Sequence, residues 1–332
     1  MKSNYRYIVK AFMAMAVIAG TTSCDDFLDR EPMSSISPET YYSTAAQLEA
    51  NLNDEYPNVL PSFGQWTYGI FGEDKGTDNQ IEVNANDRYT QDRWKVPHSE
   101  SDNWKFERIY RINFFLSEAL PKFGEDMSGS QNTISGSVAT IKHYIGEMYF
   151  LRAYEYFKKL QLFGDFPIID QPLADEMEAL REASKRFPRN EVARFIISDL
   201  DKAYAYMSDV DMATTRINKD AAMLVKSRVA LFEATWLQNF KGTAFVPGGE
   251  GWPGASLHNN YQYPSGNLDN EVKYFLEQAV EASKLVADKY KGNLTENTGV
   301  LQQSADDPSN PYFDMFAQED LSDVKEVLLW RQ

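Results

Sequence analysis

The chemistry open to this chain is concentrated in one thiol and in two loop regions crowded with aromatic rings. Cys24 is the only cysteine. Ahead of it stand the cations Lys2, Arg6 and Lys10, an apolar run from Ala11 to Gly20, and the small residues Thr21, Thr22 and Ser23. A positive segment, a short apolar run and small residues form a secretory signal. The run falls short of the roughly 20 apolar residues needed to span a bilayer. Cleavage before Cys24 would leave a thiol and an amine that together accept the two or more acyl chains stable anchoring requires. The alternative is a cleaved secretory signal followed by an unrelated free cysteine.

The rings suggest a different chemistry. Sugars present flat C–H faces that stack on aromatic side chains, while their hydroxyls seek amide, carboxylate or guanidinium partners. Trp66, Tyr68, Tyr89 and Trp94 lie in the irregular stretch from Tyr56 to Pro97, among Asn79, Asn84, Asn86, Asp87 and Arg88. A second loop, Phe245 to Tyr263, holds Trp252, His258, Tyr261 and Tyr263 among glycines and amides. The candidate glycan-stacking residues are therefore Trp66, Tyr68, Tyr89, Trp94, Trp252 and Tyr261. For each ring the competing expectation is core packing, and for Trp104 and Trp236, on helical faces, core packing is the expectation.

Other chemistries find little support. His98, His143 and His258 are scattered, with no HExxH pair or carboxylate at ligand spacing, so no metal or cofactor is expected. There is no GxSxG elbow and no phosphate-cradling glycine loop. A glycosidase needs only two carboxylates at the right separation, a pair that 49 acidic residues do not exclude. Glu73 to Asn79 offers oxygen ligands without the spacing of a calcium-binding loop. The formal net charge of −16, without any Lys/Arg block, argues against nucleic acid as a partner.

Long helices must position these loops. Ser37-Pro38-Glu39 reads as a helix start, with the helix running to about Asn53. Periodicity returns from Asp102 to Leu120, with Pro121 as its expected end. Val138 to Phe163 is apolar around nearly its whole circumference, as in a helix packed on most sides. Glu147 and Arg152 interrupt that surface, and each should be paired. Further helices are predicted over Arg189–Met207, Lys219–Phe240 (with Asn218 as N-cap) and Asn270–Lys291. Short strands are predicted at Phe166–Ile169 and Val324–Trp330. Antiparallel helix pairs that each leave an apolar face uncovered predict stacking into a superhelix.

Several segments resemble the SusD/RagB family of outer-membrane nutrient-binding lipoproteins. They are Cys24 to Asp29 (CDDFLD) with Pro32, Trp104 to Asn113 (WKFERIYRIN), and Glu147 to Phe157 (EMYFLRAYEYF) running into Leu162 to Ile169 (LFGDFPII). Pro188 to Val192, Ile197 to Ala203, Arg216 to Ala222, Ser227 to Phe232 and Glu326 to Trp330 follow in family order. The resemblance implies an all-α fold of tetratricopeptide-like helical repeats, a superhelix with irregular ligand-bearing loops and a few short strands. It implies no catalysis, surface export favoured by Asp25 and Asp26, and hand-over of oligosaccharides, or of peptides in the RagB branch, to a SusC-like TonB-dependent transporter. The expected organisation is a lipoprotein signal over 1–23, a tether over 24–38 and a helical domain over 39–332, anchored to the outer membrane by lipid on Cys24. Family members run on well past the last residue here, so the resemblance implies an incomplete C-terminus. A lipid-anchored glycan hydrolase is the rival from another class.

Overall fold

The helix starts are written in capping residues. In the computed structural model, which describes residues 41–61, 103–124, 126–208, 212–301, 303–304 and 306–331, helix α1 spans Ala45–Val59. Thr44 and Gln47 cap each other reciprocally at its start, satisfying two backbone N–H groups that would otherwise lack partners. Pro38 itself lies outside the described residues, but Tyr41–Thr44 are not helical, so the helix begins at Ala45 and not at the expected Pro38, and it runs past Asn53, through Pro57. Helix α2 (Glu107–Phe123) likewise carries Pro121 inside its last turn instead of stopping there. A proline so near a C-terminus forfeits only one hydrogen bond, so it does not end the helix.

Helix α3 (Val138–Phe163) matches its predicted bounds. Ser137 caps it, and Gly164, at φ 69°, supplies the left-handed turn that ends it. A short helix α4 (Met177–Ala183) that periodicity did not reveal precedes α5 (Arg189–Tyr206). Asn218 caps α6 (Lys219–Asn239) as expected, and Asn267 caps α7 (Leu268–Tyr290). Among the described residues, a 3₁₀ turn, Pro253–Ser256, and helix α8 (Pro311–Ala317) follow.

The described residues are helical, with two isolated bridges, Thr44–Ser135 and Phe166–Phe187, and no sheet. The two predicted strands are therefore corrected. Phe166 makes only its one bridge. Leu328 and Trp330 instead hydrogen-bond the chain around Thr214 and Asn218 as single extended residues. An apolar run becomes a strand only when a neighbouring strand meets its backbone groups, and here the partners are single groups, the Thr214 carbonyl for the Trp330 N–H and the Asn218 side-chain amide for the Leu328 carbonyl. Residues Ser43–Gln332 form one unit, and Met1–Tyr42 is a separate one of which only Tyr41 and Tyr42 are described. No helix among the described residues is long and apolar enough to cross a membrane.

Helix α3 is the hub. It packs against α1, α2 and α5, and the stack continues from α5 to α6 and from α6 to α7. Helix α5 runs antiparallel to α3, and α6 to α5: Tyr149 meets Tyr206 and Tyr156 meets Phe195 across α3 and α5, while Arg189 meets Glu233 and Lys226 meets Asp201 across α5 and α6. At Gly146 the α3 and α5 backbones come so close that a Cβ would sit 2.7 Å from Met207 Cγ and 2.9 Å from the Ala203 carbonyl. Only glycine permits that approach.

Both interrupting charges of α3 are paired, though not with each other. Arg152 donates from Nε and Nη2 to the two oxygens of Asp199, at 2.6 and 2.8 Å, and from Nη1 to Asn113 Oδ1 and the Asp170 carbonyl. Glu147 receives Arg216 at 2.8 and 3.0 Å and the Tyr56 hydroxyl at 2.5 Å, and lies 3.2 Å from His143 Nε2. Partners drawn from α1, α2, α5 and the chain before α6 lock the stack at its centre.

Candidate functional site

The C-terminal end of α3 is where the described chain gathers the roots of both aromatic regions. Two lysines one residue apart do part of this. Lys158 Nζ donates to the Val59 carbonyl at the end of α1, and Lys159 Nζ donates to the Asn103 carbonyl at 2.8 Å. Burial lowers the pKa of Lys158 while Glu155 opposes the shift. Trp104, next to Asn103, packs edge-on against Phe163 and Phe166 with centroids 4.9 Å away in both cases. The chain thus departs at Val59–Pro61 and returns at Asn103–Trp104 against one short stretch of α3. Trp66, Tyr68, Tyr89 and Trp94 lie outside the described residues, as does Cys24.

The GDFP segment that closes α3 roots the second loop. Asp165 accepts the Trp252 indole N–H at 2.7 Å and the Arg189 backbone N–H at 2.9 Å. Burial nevertheless raises its pKa, the two N–H groups only partly offsetting the loss of water. Beyond it, the Tyr156 hydroxyl donates to the Ile169 carbonyl and accepts from its N–H, while Asn113 donates to the Ile169 carbonyl. These side chains are spaced along α3 and α2 so that the segment after Gly164 has one path.

Trp252 is 5% exposed. Its ring stacks with His258 and tilts against Tyr261, which meets Tyr263 edge-on. The loop's own packing therefore takes nearly all the surface that the sequence reading offered to a ligand at Trp252. Tyr261 is half-buried, and its hydroxyl exchanges hydrogen bonds with the Asn190 side-chain amide at 2.9 and 3.0 Å. Desolvation raises the pKa of Tyr261 and of Tyr263, keeping both phenols neutral. Under the loop, Glu271 accepts from Arg194 at 2.7 and 2.9 Å, from Asn190 and from the Ser265 N–H. Burial pushes Glu271 upward, but these hydrogen bonds outweigh it and hold the carboxyl below its ordinary range. Glu233 is fully buried; desolvation raises its pKa against the opposing charge of Arg189, its bidentate partner.

The two roots are joined. His258 Nε2 lies 2.8 Å from the Arg186 carbonyl, and the Arg186 guanidinium sits 4.6 Å from the Trp104 ring centre. Phe187, Phe245 and Leu257 are exposed around this end, with the amides of Asn259, Asn260 and Gln262. Exposed rings beside amides can hold a polyol, stacking its C–H faces and meeting its hydroxyls. No group of three or more His, Cys, Asp or Glu side chains among the described residues is placed to hold a metal ion. Sequence reasoning missed the anchors Lys158, Lys159, Asp165, Asn190 and Glu271. Only Asp165, next to the helix-ending glycine, carried a local signal.

A family model, SusD-like and described as starch-binding and associating with the outer membrane, matches residues 26–231. SusD-like protein P2 of Formosa agariphila is 25% identical over 253 residues, covering 73% of this chain and 46% of that protein. A second SusD-like protein of the same bacterium is 25% identical over 233 residues, 64% of this chain and 41% of its own length. The chain thus spans less than half the length of these curated relatives. A solved SusD-like carbohydrate binding protein from Bacteroides fragilis aligns at 16% identity and a TM-score of 0.46, over 78% of this chain and 43% of the other. One from Bacteroides vulgatus aligns at 14% identity and 0.45, over 77% and 47%.

Proposed function

This chain belongs to the SusD-like family, and on that premise we propose that it captures oligosaccharides at the outer membrane and passes them to a SusC-like TonB-dependent transporter. The observation that carries the reading is that Val59 and Asn103, which flank the first aromatic region, and Trp252 of the second loop are all held at the C-terminal end of α3, by Lys158, Lys159 and Asp165. In this reading a saccharide stacks on Trp66, Tyr68, Tyr89 and Trp94 of the first region, and Tyr261 and the amides of the second loop add further contacts. Trp252 acts from beneath, by fixing the loop. The protein binds and does not cut, and acyl chains on Cys24 hold it to the membrane with Asp25 and Asp26 favouring the outward face.

Calorimetry of the full chain with starch, xylan, mannan and peptide mixtures tests the proposal. At least one polysaccharide should bind without release of reducing ends, and Trp94→Ala should weaken it about tenfold, the loss of roughly one stacking contact. Binding of peptides alone would favour a RagB-like role. Turnover abolished by a single carboxylate substitution would point to a hydrolase.

A further inference from the structure

On the far face of α5 from α3, Arg194, Ile197, Ser198, Asp201 and Lys202 recur at helical spacing and, with Tyr274 of α7, line a cleft of about 330 Å³. The cleft exists because α7 packs along α6 and not along α5, so the two helices flank an open space instead of closing it. Its volume lies at the small end of the range for small-molecule sites. That suits a mono- or disaccharide unit.

The walls are fixed in advance and leave hydrogen-bonding capacity unspent. Arg194 gives Nε and Nη2 to Glu271 and Ser265, which leaves Nη1. Its guanidinium lies 3.8 Å from the Tyr274 ring centre, so the salt bridge to a fully buried carboxylate also positions the ring. Asp201 spends Oδ1 on Lys226 at 2.7 Å and keeps Oδ2. The Ser198 hydroxyl has no partner among the described residues. Lys202 approaches Asp199 at 3.7 Å, but Arg152 already holds both oxygens of that carboxylate. Ile197, 2% exposed, forms an apolar floor, and the Met127 side chain lies at the rim.

Sugar hydroxyls both donate and accept, so they are matched by a lining that offers free donors and free acceptors together. A ligand of one charge sign is served less well by this mixture. The ring edge of Tyr274 and the apolar floor suit the C–H faces. We propose that this cleft, lined by none of the loop aromatics, is a second saccharide-binding site, which rests on the glycan-binding reading. Rigid walls reduce the ordering cost of binding, and with it the penalty that weakens small sites.

The test uses the full chain labelled with ¹³C at methionine methyl groups, the Met127 signal being assigned from Met127→Leu. Maltotriose, cellotriose and xylotriose are added in turn, and at least one should shift the Met127 signal with saturation. Ala205→Trp, a substitution at an exposed cleft position, should abolish that shift or weaken it at least tenfold while calorimetric binding at the loops persists. Ser198→Leu is a second blocking variant should the first misfold. Trp94→Ala should do the converse, weakening loop binding and leaving the Met127 shift. If calorimetry shows saccharide binding but the Met127 signal stays still with all three sugars, the second site is wrong and the glycan reading stands. No saccharide binding by either method overturns both.

Discussion

Arg152 and Glu55 are both buried charges, 3% and 1% exposed, yet one is surrounded by matched partners and the other is not. Arg152 meets Asp199 through two short hydrogen bonds, and its remaining edge meets Asn113 and a backbone carbonyl. Glu55 has Arg111 Nε 2.5 Å from Oε1, but among the described residues neither oxygen accepts a hydrogen bond of good geometry. Arg111 also contacts Asp54, whose charge repels Glu55. Burial therefore raises the pKa of Glu55 more than Arg111 lowers it. The difference teaches that burying a charge always carries a desolvation cost, and that hydrogen-bond geometry decides how much of it is offset.

Removing Arg152 should have the largest effect. Arg152→Ala strands Asp199, which is fully buried, and should destabilise the fold by about 3–5 kcal/mol in chemical denaturation. Pairing it with Asp199→Leu should restore much of that loss, and failure to do so would mean that the Asn113 and Asp170 contacts matter more than the ion pair. Trp252→Phe keeps a ring but removes the N–H that Asp165 accepts, so a cost of about 1–3 kcal/mol is expected. Limited proteolysis should show the 245–263 loop cut faster. An unchanged loop would mean that ring packing alone holds it.

The acidic limb of the pH–stability profile separates Glu271 from Glu55. Glu271 has a folded pKa below its unfolded value, so its contribution is present above the ordinary carboxyl range and is lost as pH falls through the folded pKa. Glu271→Gln should flatten that limb. Glu55 has the opposite sign: its ionised form is disfavoured in the fold, so wild type carries a cost at neutral pH that disappears as pH falls and the carboxyl protonates. Glu55→Gln should change stability by less than about 1 kcal/mol at neutral pH, the smallest effect here. A large loss would show that the Arg111 contact is strongly stabilising and would erase the contrast with Arg152.

Patterns confined to one helix were legible in the sequence. The bounds of α3 followed from its apolar circumference and from Gly164, and the Asn218 cap followed from its position before an apolar run. The need of Glu147 and Arg152 for partners was also evident. Pro121 misled, because a proline near a helix end is tolerated where few backbone bonds remain to lose. The Val324–Trp330 strand misled for the converse reason, since a strand depends on a neighbour that the local pattern does not reveal.

Composition, capping residues and periodicity determined that the chain is a stack of amphipathic helices with aromatic loops, because those signals act over a few residues and one helix turn. Only the tertiary structure decided that Arg216 and Tyr56 answer Glu147, that Asp199 answers Arg152, and that Trp252 lies inward on Asp165. It alone placed Tyr274 beside Arg194 across an open cleft. Such pairings join residues 47 to 91 positions apart. Their free energy depends on distance and desolvation in the packed state, quantities that have no value until the helices have met.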